Sequence, residues 1–146
     1  MAKITRRAAR ECAVQVLYGY DFQKELDKAE FFASTCEEEE IAYNDFAKAL
    51  FTGTCENIDE IDAKIKEHLH GWSIERVSRV SLAVMRLCAY ELLFTELPVS
   101  IAINEALEID KKFDKDDAPA FINGVLNSIK NELEGGTSDA APTEEV

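Results

Sequence analysis

Long apolar runs are missing from this 146-residue chain. The most hydrophobic stretch, Ser81 to Phe94, is broken by Arg86 and Glu91 and falls short of the roughly 18 to 20 apolar residues that cross a bilayer. It predicts a buried helix and excludes a membrane anchor there. The opening MAKITRRAAR holds no apolar block or cleavage pattern, so no secretory signal is expected and the cytoplasm is the expected compartment. Glycine and proline are scarce, which rules out collagen-like and low-complexity classes. Cys12, Cys36, Cys55 and Cys88 form no CxxC pair, and the two histidines, His68 and His70, stand apart from them. Reduced core cysteines are therefore expected, behaving as small hydrophobes.

Catalytic signatures are missing too. There is no glycine-rich phosphate loop, no GxSxG elbow and no HExxH, so neither an enzyme nor a cofactor is expected. The acidic cluster around Asp114 resembles the start of a calcium loop, but Pro119 and Val125 occupy the positions where that loop needs glycine and glutamate. No metal site is expected.

What the chain has is charge, unevenly placed. The formal net charge is −13. Lys3, Arg6, Arg7 and Arg10 fall within the first ten residues with no acid among them, which leaves 12 cations against all 29 acids, a net −17, on the rest. A uniformly acidic surface repels phosphate; a basic tip on an acidic body does not.

Apolar residues recur at helical spacing almost throughout. Ala9, Cys12, Ala13, Val16, Leu17 and Tyr20 line one face of a first helix capped by Thr5. Phe31 and Phe32 mark a short second helix, followed by the acidic run Glu37–Glu40, read as a solvated helix start or loop. From Tyr43 to Leu69 the spacing fits one long helix or two that break near Asn57. Gly71 ends this region. Ser73 as N-cap, with Trp72 and Val77 at staple positions, then predicts a helix from about Ile74 through Phe94, apolar on most of its circumference and thus central to a bundle. Ser100–Phe113 and a last helix from about Asp117, with Ile122, Val125, Leu126, Ile129 and Leu133 inward, complete an all-α chain. Asn123-Gly124 would ordinarily mark a turn and suggests a locally loosened last helix. Residues 1–134 are expected to form one helical domain and 135–146 an acidic disordered tail.

Two features point to nucleic acid. Arg6, Arg7 and Arg10 cluster on the first turns of a helix, where guanidiniums can fork onto phosphate and backbone N–H groups also favour anions. Cations are electrostatically misplaced at that end of a helix, so their presence calls for another reason. Phe121 sits one residue off the apolar stripe of the last helix, where a half-exposed ring can stack on an unpaired base. The blander readings are a solubilising helix end and a rim residue of the core.

RRAARECAVQVLY (6–18), LAVMRLCAYEL (82–92), PVSIAINEA (98–106) and FINGVL (121–126) together resemble the NusB transcription antitermination family, in the family's order and across nearly the whole chain to about Lys130. The resemblance implies two packed three-helix bundles and binding of the single-stranded boxA element of nascent RNA. It further implies NusE as partner, a small-subunit ribosomal protein, within an RNA polymerase antitermination complex on ribosomal RNA operons. It assigns RNA contacts to Arg6, Arg7, Arg10, Asp117 and Phe121, and NusE contacts to Tyr18 and to the position of Ser81. Two departures stand out: Ser81 replaces an acidic residue, and Ala118 replaces a polar one. A homodimer is left open. The competing readings are a helical scaffold without RNA affinity and the RNA-binding domain of an RNA methyltransferase, for whose catalytic domain these 146 residues leave no room.

Overall fold

The computed structural model describes residues 3–113 and 118–135. Among these, the chain forms seven α-helices and no strand: α1 Arg6–Tyr20, α2 Lys28–Glu38, α3 Asp45–Glu56, α4 Ile58–Glu67, α5 Arg79–Phe94, α6 Val99–Phe113 and α7 Ala118–Leu133. Short polar side chains set the starts. The Ala8 N–H donates to Thr5 Oγ1 at 2.9 Å, Glu30 N–H to Asp27 Oδ2 at 3.0 Å and Ala47 N–H to Asn44 Oδ1 at 2.8 Å. Each satisfies a donor that the first turn leaves without an intrahelical acceptor.

α1, α2 and α3 pack on one another as one three-helix bundle, α5, α6 and α7 as a second, and α4 touches both. α5 is the shared axis, in contact with α1, α3, α4, α6 and α7. Ten of its 16 residues are buried, from Ser81 to Leu92, as its nearly all-round apolar sequence requires. One apolar cluster runs through both bundles, with Phe32, Phe51, Ile61, Leu82, Met85, Ile122 and Ile129 fully enclosed. The close approach of α3 to α5 depends on Gly53: a Cβ there would meet the Tyr90 ring at 2.4 Å.

Several expectations are corrected. α3 and α4 do break at Asn57, but the central helix starts five residues later than the Ser73 cap predicts. Ile74–Arg76 makes only a single 3-10 turn and Ser73 caps nothing with its side chain. The cap is Ser78, whose Oγ accepts the Ser81 N–H at 3.0 Å. Trp72 and Val77 therefore do not staple a helix start. The acidic run Glu37–Glu40 closes α2 instead of opening a helix, with Glu40 in the left-handed region at φ 56°. α7 continues unbroken through Asn123-Gly124, where Asn127 Nδ2 donates to the Asn123 carbonyl at 2.8 Å. The expected acidic tail lies outside the described residues, apart from Gly135.

Candidate nucleic-acid interface

The three arginines of α1 fall into three different environments. Arg10 is only 5% exposed. Its guanidinium lies between α1 and α5, where Nε reaches both Glu91 oxygens at 3.0 Å and Nη2 a further contact at 3.0 Å. Two buried charges in contact cost desolvation energy that only good geometry offsets, and removing either one strands the other. The expected trio of surface arginines is thus a pair, because Arg10 is consumed inside the protein.

Arg7 is bound from one side only. Nε and Nη2 donate to Glu105 on α6, the latter at 2.9 Å, while 42% of the side chain faces solvent. A guanidinium has five N–H donors, so three remain for a ligand. The hydrogen bond to Glu105 holds the Arg7 guanidinium above its ordinary pKa and, reciprocally, holds the Glu105 carboxyl below the usual range. Arg6 is exposed, with its guanidinium 4.3 Å above the centroid of the Phe46 ring on α3. That cation–π contact fixes the head group and leaves its N–H edge open. Carboxylates from α6 and α5 therefore account for Arg7 and Arg10 at the wrong end of the helix dipole, and leave Arg6 in excess.

The remaining expected residues are scattered. Tyr18 is 40% exposed, edge-on to Phe22 at 5.4 Å, and it lines an open groove of about 490 Å³ with Val14, Thr35, Ile41, Val80 and Phe113. Ser81, by contrast, is 1% exposed, and its Oγ donates to Asp110 Oδ1 at 3.0 Å. It forms no surface, so the expectation that its side chain presents itself to a partner is corrected: the hydroxyl ties α5 to α6. Phe121 is half-buried on the first turn of α7, its ring 5.5 Å from that of Trp72. Asp117 lies outside the described residues. Ala118 opens α7.

Sequence reasoning missed the acids that organise these cations. Arg86 and Glu91 were conspicuous as the charges interrupting an apolar run, and that was their signal: both are held in ion pairs, Glu91 buried and Arg86 partly so. Arg86 forks onto Asp62 with two bonds of 2.8 Å and reaches Asp21 at 3.2 Å. Among the described residues Glu67, His68 and Glu132 converge closely enough to suggest a cation site. However, Lys64 Nζ already sits 2.7 Å from Glu132 and 3.3 Å from Glu67, and His68 spends both ring nitrogens on Ser128 and Glu132. The lysine supplies the positive charge.

An all-helical protein with a cationic helix end and a separate apolar groove is what these elements define. The NusB family profile matches residues 7–131. The transcription antitermination protein NusB of a Nitratiruptor species is 45% identical over 139 residues, covering 93% of this chain and 99% of that relative. The structure of T. maritima NusB superposes with a TM-score of 0.76 at 33% identity, covering 90% of this chain and 94% of that one. A crystal structure of antitermination factors NusB and NusE in complex with double-stranded RNA gives 0.74 at 32% identity, over 87% and 96%. The chain belongs to the NusB family of transcription antitermination proteins. Among the described residues no helix is long and apolar enough to cross a membrane.

Proposed function

We propose that this chain is a recognition adaptor: with NusE it holds the single-stranded boxA element of nascent RNA and keeps RNA polymerase processive on ribosomal RNA operons. The observation that carries this reading is the surplus of cation at the start of α1, where Arg6 and the outer edge of Arg7 face solvent in an otherwise acidic protein. Guanidiniums held in place lose little freedom on meeting phosphate. Arg10 positions the α1 end from beneath and does not itself reach the strand. Phe121 supplies a ring to an unpaired base, and Asp117 is proposed as an RNA contact on the family pattern alone. The Tyr18 groove takes NusE, for which an exposed phenol offers both apolar area and a hydrogen bond. Ser81 enters this interface only by holding α6 behind the groove. A solved NusB–NusE–RNA complex of a related chain supports the pairing of partners. Action on nascent RNA places the protein in the cytoplasm, with no catalytic step.

The test is fluorescence anisotropy of labelled boxA RNA, a scrambled strand and a boxA duplex, titrated with this protein alone and with NusE. The expected result is preference for single-stranded boxA that grows with NusE and weakens in Arg6→Ala/Arg7→Ala. Equal, weak binding of all three RNAs, unchanged by the arginine replacements, would leave a helical scaffold without RNA function.

A further inference from the structure

Trp72 is the single tryptophan of the chain, and 53% of it is exposed. The staple that the sequence suggested for it does not form, so this large aromatic has no packing duty at a helix start. It is nevertheless held. The Phe121 ring lies against it at 5.5 Å with 60° between planes, and the Arg76 guanidinium stands 5.7 Å from its centroid. The backbone is fixed as well: His70 and Gly71 take left-handed conformations at φ 53° and 93°, and the Trp72 N–H donates to the Leu69 carbonyl at 3.2 Å.

We infer that Trp72, Phe121 and Arg76 form a stacking platform for an unpaired RNA base, extending the proposed RNA surface from α7 onto the segment between α4 and α5. The inference rests on the RNA reading given above. The occupant follows from what borders the ring. An open recess of about 300 Å³ beside Trp72 is lined by His70, Gly71 and Arg76, so the indole face is flanked by a cation and an imidazole, without the rim of aliphatic side chains that a protein hot spot gathers around its anchor. A π-face beside a guanidinium suits a base and its phosphate; Glu75 is the exposed acid next to it in sequence. Continuity favours the same occupant. α6 runs from Glu105, which grips Arg7, to Lys111 and Lys112, both more than half exposed. Glu105 to Lys112 spans about 10 Å. Both lysines are ion-paired on one side, Lys111 with Glu108 at 3.2 Å and Lys112 with Glu11 at 2.9 Å, so partly engaged cations connect the start of α1 with the end of α6.

The experiment uses the indole as its own reporter. Intrinsic Trp72 fluorescence is followed during titration with single-stranded boxA RNA, with the same sequence as a duplex, and with NusE alone; affinities are measured in parallel for Trp72→Ala, Trp72→Phe, Arg76→Gln and Arg6→Ala/Arg7→Ala. A base stacked on the ring quenches the emission, and loss of one stack lowers single-strand affinity about 5- to 150-fold in Trp72→Ala. Trp72→Phe recovers most of it, and the salt slope stays as in the wild type because stacking releases no counterions. If single-stranded RNA binds and depends on Arg6 and Arg7, yet neither quenches Trp72 nor weakens in Trp72→Ala, the platform is wrong and the RNA reading stands. If no RNA binds, both fall. Quenching by NusE in the absence of RNA overturns the platform and assigns the patch to a protein contact.

Discussion

The two ends of α1 carry charges of opposite sign, and each sign is the one its helix dipole disfavours. At the start, Arg7 and Arg10 meet Glu105 and Glu91; at the end, the C-cap residue Asp21 meets Arg86 at 3.2 Å and Arg79 at 3.0 Å. Because α5 supplies Arg79 at its start, Arg86 at its middle and Glu91 near its end, the pairs fix α1 antiparallel to it. The difference lies in what is left over. Asp21 is enclosed by three cations, Lys24 among them. At the other end Arg10 is consumed, Arg7 is half engaged and Arg6 has only a ring beneath it. One end is a clamp; the other is a clamp with cation to spare, and the spare cation is where a phosphate can dock.

The comparison breaks most severely at the buried pair. Glu91→Ala leaves Arg10 charged and enclosed, a loss of about 3–5 kcal/mol, and denaturant unfolding should show the midpoint collapse. A loss below about 1 kcal/mol would mean that Arg10 swings out to solvent and belongs to the open surface after all. Next in size, Gly53→Ala forces the Tyr90 ring aside and should cost about 1–3 kcal/mol, read from the same unfolding curves; an unchanged midpoint would show that the α3–α5 contact yields freely.

The clamp at the other end is sharpened by pH. Burial by itself would raise the Asp21 pKa, but the hydrogen bond and charge of Arg86, with Lys24 and Arg79, hold it below the ordinary 3.8. A folded-state value below the unfolded one stabilises the protein above that unfolded value, and the gain disappears as pH falls through the folded value. Glu105 behaves alike against 4.5 through Arg7. Stability should therefore be level from neutral pH to about 5 and decline below about 4. Removing the cation in Arg86→Met lets burial dominate and lifts the folded-state Asp21 value above the unfolded one, so the variant should be less stable at neutral pH and lose less of its stability below about 4 than the wild type. An acid decline as steep as that of the wild type would show that Asp21 is not tuned by this contact. The smallest expected effect is that of Arg6→Ala, under about 0.5 kcal/mol in stability, since that side chain packs only on one exposed ring face.

Much of the fold was legible in periodicity: the α3–α4 break at Asn57, the central position of α5 and the inward stripe of α7 from Ile122 to Ile129 follow from apolar spacing, which is a local signal. Leu133, expected as the last member of that stripe, is instead exposed at the helix end. The start of α5 was not, because Ser73 and Ser78 are equally good caps in isolation and only packing decides between them. The site was legible in kind but not in detail. A basic run at residues 3–10 marks the surface, yet nothing local distinguishes Arg10 from Arg6. Their fates depend on Glu91 and Phe46, 81 and 40 positions away, and burial of Ser81 likewise depends on its bond to Asp110 of α6. Of the cysteines expected in the core, Cys12, Cys36 and Cys88 are buried there and Cys55 is half-buried at its edge. All four are free, and burial pushes Cys12 up to about 12 and Cys55 up to about 11, well above the range in which a thiol is reactive at neutral pH.

The most direct test of the claim that Arg6 and Arg7 face phosphate while Arg10 is internal is the salt dependence of boxA binding in three proteins. These are the wild type, Arg6→Ala/Arg7→Ala, and the paired apolar replacement Arg10→Met/Glu91→Leu, a kind of exchange that often leaves stability intact. Each lost phosphate contact flattens the log–log slope by about 0.7 on a single strand. The account predicts a slope flatter by about 1.4 in the first variant and a wild-type slope in the second. A slope flattened by the Arg10→Met/Glu91→Leu exchange and untouched by Arg6→Ala/Arg7→Ala would contradict it.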